Sequence, residues 1–385
     1  IKGRLEKKMG DFELKIMSKY IIASIGRKNR SVNHMILNFM LKINSLTRYK
    51  VLLVVHGTMD GKLHSLCKKE NIIVRNWPSK RPVSLKDFFF FVRLVLKYNP
   101  YCVVASLRPT NLMIIASYFL NVKKRVIWIR SGLKSLNDEN EKNVATTFFK
   151  NIIFFMSNGI LGVSRSIIKD YRLIYNINKK KCFVLHNLIK DPLNSNMLNR
   201  NERKNFILSV GRLVPEKGFS TLLKAYSTLI NHFNFDFKLL IIGDGPYRDI
   251  LKNQARELKI WRQCKFIGSV PYEILKDYYK NTLVTILPSE CRESFGYVII
   301  ESLAFGTPVI ASNIGGIKEI IKDEYNGLLF EPGSQIELEE SIKKITQDNI
   351  LWKKIRKNAR FNFLSKHNMD SSIDDKVLQF VNWIN

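Results

Sequence analysis

Two carboxylates eight residues apart, Glu293 and Glu301, are the side chains whose spacing most clearly suggests chemistry. The apolar run 283–287 before them predicts a buried parallel strand that ends at Pro288. The residues after Gly296 predict a helix, so Glu293 falls in the loop at the strand's carboxyl end and Glu301 falls in the helix. Ligands of open α/β sheets bind at that edge, where a helix N-terminus accepts phosphate. The alternative is a solvated loop glutamate followed by an ordinary helix glutamate.

Three more junctions of strand, glycine and helix lie in the same half of the chain. The first carries Gly211, Arg212 and Lys217, and two cations at this spacing suit a diphosphate. The second turns at Gly243, and the third passes through Gly315 into a helix expected to start at Ile317. The strands before them are expected at 206–210, 238–242 and 309–312. Each junction alone is explained by packing geometry, but four on one edge favour a nucleotide crevice.

The segments of this half also resemble a known family. In order, they read GRLVPEKG, IIGDGP, FIGSVP, ESFGYVIIESLAFGTPVIAS and GGIKEII-x5-NGLLFEPG over residues 206–333. In motif and spacing they are similar to the C-terminal domain of glycosyltransferase family 4. The resemblance implies an α/β chain with the GT-B fold, in which two Rossmann-like domains face each other across a cleft. It implies a retaining hexosyltransferase that moves a sugar from a nucleotide-sugar donor, with a UDP-sugar favoured over a GDP-sugar.

The resemblance also implies a role for each matching residue. The basic pair of the first loop holds the donor diphosphate, the first glutamate contacts the donor sugar, and the second holds the ribose hydroxyls. Backbone amides of the small-aromatic-Gly turn contact phosphate or sugar, and the stretch near Val270 borders the base. The expected donor-binding residues are Gly211, Arg212, Lys217, Gly243, Val270, Glu293, Ser294, Phe295, Gly296 and Glu301.

The first half of the chain departs from the family pattern. Its first loop, 26–31, has the single glycine Gly26 where the family usually has a glycine-rich loop near the acceptor and the donor phosphate. At the strand end where many members carry a histidine, this chain has Arg130, and no general base is visible there. We expect Arg130 to stabilise charge, so the expected catalytic residues are Glu293, Arg212, Lys217 and Arg130.

Metal chemistry and two competing activities find less support in the sequence. The five cysteines are scattered, and neither a Cys/His zinc spacing nor an Asp-x-Asp motif is present, so we expect no metal and no cofactor. A sugar-nucleotide epimerase on the same fold would need acid/base carboxylates from the first domain, where acids are few. A glycosidase would also use two carboxylates, but it would not need a diphosphate grip.

The positive charge is concentrated in the first half. Residues 1–200 hold 37 Lys and Arg against 11 Asp and Glu, whereas residues 201–385 hold 26 against 22. Nucleic acid, an anionic membrane surface or a coding bias could each explain the excess. Bias would enrich both halves, so we favour a membrane surface and expect no nucleic-acid partner. The basic residues around 88–96 are consistent with an interfacial helix, although a core helix fits equally well.

The membrane surface suggests the acceptor and the location. A lipid-linked or cell-surface glycan acceptor is expected, as in lipopolysaccharide, O-antigen or capsule synthesis, at the cytoplasmic face of the cell membrane. The expected organisation is a leader or disordered extension (1–16), an acceptor- and membrane-facing domain (17–190), a linker (191–204), a donor domain (205–365) and a helix that packs back on the first domain (366–385).

Overall fold

The computed structural model describes most of the chain. The described residues are 19–25, 31–56, 61–79, 82–106, 109–132, 144–193, 205–233 and 235–385. The expected extension 1–16, the loop glycine Gly26 and most of the expected linker, 194–204, lie outside the described residues, so those expectations stay predictions.

The first domain is built on a parallel sheet. Among the described residues this sheet has seven strands in the order β3-β2-β1-β4-β5-β6-β7. The strands are β1 (Tyr20–Ile25), β2 (Lys50–Val55), β3 (Ile73–Asn76), β4 (Cys102–Ala105), β5 (Lys124–Ile129), β6 (Gly159–Gly162) and β7 (Cys182–Val184). The helices between them are α1 (Ser31–Leu46), α2 (Gly61–Lys69), α3 (Leu85–Tyr98), α4 (Thr110–Phe119), α5 (Val144–Met156) and α6 (Arg165–Tyr175).

The second domain repeats the plan. Its sheet has six parallel strands within the described ranges, in the order β10-β9-β8-β11-β12-β13. They are β8 (Phe206–Val210), β9 (Lys238–Ile242), β10 (Cys264–Gly268), β11 (Thr285–Leu287), β12 (Val309–Ser312) and β13 (Leu328–Phe330). The helices are α7 (Phe219–Phe233), α8 (Arg248–Glu257), α9 (Tyr272–Asn281), α10 (Tyr297–Ala304), α11 (Gln335–Gln347) and α12 (Asn349–Asn362). The last helix, α13 (Met369–Ile384), packs on the first domain.

Both sheets are covered on both faces, which explains their nearly continuous apolar strands. In the first domain, Ile22 and Leu52 point to the side covered by α3, α4, α5 and α6, whereas Ile21 and Leu53 point to the side covered by α1 and α13. Two parallel sheets with helices on both faces define an α/β chain of two Rossmann-like domains, as the sequence predicts.

The chain crosses between the domains twice. After β7 it enters the second domain, and after α12 it returns through a π-helical turn, Phe363–His367, into α13. The two crossings are joined by a short parallel bridge between Ile189 and Asn368 and by the fork of Arg360 on Asp191, with Nη1 2.8 Å from Oδ1. Helix α13 then packs on α1 of the first domain, where the rings of Phe380 and Phe39 lie 5.4 Å apart.

Candidate functional site

The first two glycine loops of the second domain touch each other at the carboxyl edge of the sheet. Gly243 follows β9 with a φ of +142°, and a Cβ added there would lie 1.8 Å from the carbonyl oxygen of Gly211. Only glycine allows this approach, because any side chain would collide with the neighbouring backbone. The contact fixes the Gly211 loop, which carries the two predicted phosphate-binding cations.

Lys217 and Glu293 form an ion pair at the same edge. The Nζ atom of Lys217 donates a hydrogen bond to Glu293 Oε1, which also accepts one from the hydroxyl of Ser289 at 2.6 Å. Both charged side chains are largely buried. The sequence predicts that these two residues share a site, and the structure brings them into direct contact.

Arg212 lies on the open side of the same loop. Its guanidinium is mostly exposed and lies 3.2 Å from Glu216 Oε1. The loop is tied to the loop after β11, because the backbone amide of Glu290 donates to the carbonyl oxygen of Glu216 at 3.0 Å. Arg212 is therefore positioned beside the site with a side chain that is free to move in solvent.

The third glycine loop supports the loop that carries Glu293. The amide of Gly316 donates to the carbonyl oxygen of Glu293 at 2.8 Å, and a Cβ on Gly316 would lie 2.5 Å from the carbonyl oxygen of Ser294. The helix predicted to begin at Ile317 is wrong: residues Gly315–Glu319 form a short 3-10 helix instead. The close packing of Gly316 on the neighbouring loop explains this tighter turn.

The turn of Ser294, Phe295 and Gly296 both contacts the first domain and precedes the N-terminus of α10. Ser294 faces the first domain, where its Oγ accepts a hydrogen bond from the amide of Gly132 and its carbonyl oxygen accepts one from Ser164 Oγ at 2.7 Å. The Phe295 ring is buried. Gly296 precedes α10 with a φ of +102°, so it is the backbone of this turn, rather than its side chains, that lies at the helix N-terminus.

Glu301 is buried on α10 and is held by a tyrosine. The hydroxyl of Tyr279 on α9 donates to Glu301 Oε2 at 3.0 Å. Burial, followed by the nearby charge of Glu301, raises the pKa of Tyr279 well above its ordinary value, so the phenol stays protonated as a donor. Val270, the predicted neighbour of the base, packs against the apolar cluster that contains Tyr279.

Arg130 follows β5 and faces the second domain. Its guanidinium Nη1 is buried and makes no hydrogen bond within the described part of the chain, and the same holds for the hydroxyl of Tyr297 at the start of α10. Burial lowers the pKa of Arg130 to about 10, and the nearby Tyr297 opposes this shift. The sequence indicates Arg130, but it gives no signal for Tyr297, because Tyr297 begins the apolar stretch 297–300 and is not distinguished from it.

A second set of contacts, missed by the sequence prediction, joins the domains beside this site. The carboxylate of Glu319 accepts hydrogen bonds from the amides of Arg165 at 2.9 Å and Ser166 at 2.7 Å, at the N-terminus of α6. It also lies 3.1 Å from His186 Nε2. Burial raises the pKa of Glu319, but hydrogen bonds from His186 and both amides outweigh it, so the net shift is downward. The sequence did contain a signal for this contact, because Glu319 is the glutamate of the segment GGIKEII and had no assigned role.

Neither a metal site nor a membrane-spanning helix is present among the residues that the structure describes. None of these residues form a group of three or more His, Cys, Asp and Glu side chains able to hold a metal ion. Over the same ranges, no helix is both long enough and apolar enough to cross a membrane.

Comparison with known sequences identifies the second domain. Residues 191–361 match the family described as Glycosyl transferases group 1. An uncharacterized glycosyltransferase of Methanocaldococcus jannaschii is 31% identical over 57% of this chain, which spans only 58% of that relative. An N-acetylgalactosamine-N,N'-diacetylbacillosaminyl-diphospho-undecaprenol 4-alpha-N-acetylgalactosaminyltransferase of Campylobacter jejuni is 28% identical over 74% of this chain and 78% of its own length.

Comparison with solved structures identifies the whole fold. The Anabaena protein HepE, solved in complex with UDP, aligns with 94% of this chain and 99% of its own at a TM-score of 0.75 and 17% identity. The fold is therefore that of the GT-B glycosyltransferases, which confirms the predicted architecture. The match to glycosyl transferases group 1 covers residues 191–361, the part of the chain that holds the second sheet and the predicted donor loops.

Proposed function

We propose that this chain is a retaining glycosyltransferase that moves a sugar from a nucleotide-sugar donor to a lipid-linked or cell-surface glycan. The single observation that carries the proposal is the contact between Lys217 and Glu293 at the carboxyl edge of the second sheet. A cation for phosphate and a carboxylate for a sugar hydroxyl meet there, next to the N-terminus of α10.

The ion pair suggests how Lys217 and Glu293 bind the donor together. A lysine ammonium has three donor hydrogens, so Lys217 can keep Glu293 while it binds a phosphate oxygen. Glu293 Oε1 already accepts hydrogen bonds from Lys217 and Ser289, which orients the carboxylate for a sugar hydroxyl. The position of the sugar is thereby coupled to the position of the diphosphate.

Charge stabilisation is the main catalytic contribution in this proposal. The leaving nucleoside diphosphate gains negative charge as the glycosidic bond breaks, and preorganised cations lower the barrier. Lys217 is held by its partner, Arg212 can swing from Glu216 onto the diphosphate, and the backbone at Gly296 adds the helix N-terminus. Arg130 approaches from the first domain, where no neighbouring carboxylate neutralises it among the described residues.

The nucleoside would lie farther along the same edge. In this proposal Glu301 binds the two ribose hydroxyls, and the hydrogen bond that its Oε2 accepts from Tyr279 holds the carboxylate in place. Val270 borders the base, packed against the apolar cluster that contains Ile242 at the end of β9. A UDP-sugar is the favoured donor and a GDP-sugar the alternative; the UDP complex of HepE is consistent with the former.

A membrane-bound acceptor is supported by the outer surface of the first domain. Helices α3, α4 and α5 lie on the same side of the sheet, and each exposes large apolar side chains. These side chains include Leu85, Phe89, Phe119, Phe148 and Phe155. Together with the basic excess, they favour peripheral binding to an anionic membrane, which we place at its cytoplasmic face. The acceptor in the name of the Campylobacter relative, a diphospho-undecaprenol-linked sugar, fits such a location.

The donor assignment is tested with two substitutions and a matched control for each. Glu293→Gln and Lys217→Met should each lower the transfer rate about a hundredfold or more. The controls, Glu340→Gln and Lys224→Met, change exposed residues on α11 and α7 and should keep wild-type rates. Wild-type turnover in Glu293→Gln or Lys217→Met would contradict the proposal.

A thermal-shift panel of UDP-, GDP-, ADP- and CMP-sugars identifies the nucleotide. A donor at a hundred times its Kd should stabilise the fold by about 2.7 kcal/mol. If none of the four classes shifts the melting temperature of the wild-type protein, the proposed donor site is wrong.

A further inference from the structure

Arg130 and Tyr297 leave two buried polar groups without partners at the boundary between the domains. Arg130 Nη1 and the Tyr297 hydroxyl each lack a hydrogen bond within the ranges that the structure describes. Buried polar groups are normally paired, because an unpaired one forfeits its hydrogen bonds to water. Two such groups on facing elements are therefore a signal that a ligand supplies the missing acceptor.

The two groups lie close together and close to the proposed donor site. Each perturbs the pKa of the other, which requires electrostatic proximity. Arg130 is two residues before Gly132, whose amide donates to Ser294 Oγ, and Tyr297 directly follows Gly296. The pair thus sits where the β5 loop of the first domain meets the N-terminus of α10.

The charge of Arg130 defines the chemistry of the missing partner. No carboxylate forms an ion pair with Arg130 in the described part of the chain. The nearby phenol of Tyr297 stays protonated, because burial and the charge of Glu301 raise its pKa and outweigh the opposing effect of Arg130. In contrast, Lys217 and Arg212 each have a carboxylate partner, Glu293 and Glu216 respectively. A guanidinium donor beside a phenol donor, with no counter-ion, matches an oxyanion.

We propose that Arg130 and Tyr297 form an oxyanion subsite that the second domain's diphosphate grip does not include. This proposal rests on the proposed function, because the oxyanion belongs to the bound donor. Two sources share the chemistry: the β-phosphate of any nucleotide-sugar, or a carboxylate carried by the sugar itself. In either case Arg130 and Tyr297 touch the donor from opposite domains and so favour the closed arrangement of the cleft.

The test measures binding of UDP, UDP-glucose and UDP-glucuronate to the wild-type protein, Arg130→Gln, Tyr297→Phe and the control Arg75→Gln. The GDP series replaces UDP if the wild-type protein prefers it. Both site variants should bind roughly tenfold more weakly, since a hydrogen bond to a charged group is lost. If the two site variants bind all three probes more weakly, the oxyanion is the β-phosphate. If they bind only UDP-glucuronate more weakly, the oxyanion is a carboxylate of the sugar. The exposed Arg75 should have no effect.

A second readout separates a ligand site from a structural contact. Removing an unpartnered buried hydroxyl should raise the melting temperature of unliganded Tyr297→Phe by about 2 °C or leave it unchanged, whereas removing a structural bond would lower it. Unchanged affinity for every probe in both variants overturns the subsite while the proposed function stands. If the wild-type protein binds no nucleotide probe, the proposed function fails and the subsite fails with it.

Discussion

The carboxylate of Glu319, in the second domain, lies 3.1 Å from His186 Nε2 in the segment that leaves the first domain. The same carboxylate accepts two amide hydrogen bonds at the N-terminus of α6, where the partial charges of a helix favour an anion. One side chain therefore connects three elements across the domain boundary. Glu319 lies in the same short 3-10 helix as Gly316, whose amide supports the loop that carries Glu293. One short helix therefore holds both the domain contact and the donor loop.

Glu319→Ala should destabilise the protein by about 1–3 kcal/mol, because it removes the charged acceptor of three hydrogen bonds, from two helix N-terminal amides and from His186. For a chain of this size the melting temperature should fall by several degrees. The matched control is Glu324→Ala, which removes an exposed ion pair with Lys344 and should change the melting temperature little. Equal melting temperatures for Glu319→Ala and the wild-type protein would show that the carboxylate does not hold the domains together.

His367, next to this contact, should make stability depend on pH. Burial lowers its pKa to about 3, the charges of His186, Lys376 and Lys366 act in the same direction, and the Asn187 carbonyl 3.3 Å from Nδ1 opposes them. The unfolded chain binds a proton near pH 6.5, so stability is full above that pH and falls as the pH drops from 6.5 toward 3. The loss should be about 1.4 kcal/mol per pH unit.

His367→Met removes the titrating group and replaces it with an apolar side chain of similar size. Melting temperatures at pH 7.5 and 5.0 measure the slope for each protein. The variant should lose less stability than the wild-type protein on acidification, whatever its stability at pH 7.5. Parallel losses in both proteins would mean that other groups cause the pH dependence.

The sequence predicted those parts of the fold that depend on local patterns. The apolar runs at Phe206–Val210, Lys238–Ile242 and Val309–Ser312 are strands with the expected bounds, because each run is buried on both faces. The edge strands Ile73–Asn76 and Cys182–Val184 were missed, since they are short and lack fully buried residues. The pattern of an edge strand resembles that of a surface loop.

The donor loops were predictable, but the contacts between the domains were not. Lys217 and Glu293 were assigned to one site because both follow strands at the same edge of the sheet. The partners of Ser294 and Glu319 are more than a hundred residues away in sequence, at Gly132, Ser164 and His186. Such pairs form only when the two folded domains pack against each other. The hydrophobic periodicity within either domain does not predict that packing.

Transfer should persist in excess EDTA. Lys217, Arg212 and the N-terminus of α10 supply positive charge at the proposed diphosphate site, and these groups do not depend on a divalent ion. The rate with EDTA should match the rate with added Mg²⁺ or Mn²⁺. A complete loss in EDTA that manganese restores would show that the diphosphate needs a metal and that the cations have another role.

The last prediction concerns the outer surface of the first domain. The full chain should float with vesicles that contain anionic lipid at low salt, because several exposed Lys and Arg, including Lys86, Arg93 and Lys97, each add about 1 kcal/mol of attraction. Raising the salt concentration should release the protein, since charges are screened beyond about 8 Å at physiological ionic strength.

Phe89→Glu and Phe155→Glu test the apolar contribution to this binding. Both rings are exposed, on α3 and α5, and a charge in their place removes burial at the interface and adds repulsion from anionic lipid. Each variant should bind about tenfold more weakly, a difference of about 1.4 kcal/mol. The control Phe361→Glu changes an exposed ring on α12 of the second domain and should bind like the wild-type protein. If the wild-type chain stays in solution at low salt, this face does not bind membranes, and a coding bias becomes the better explanation of the basic half.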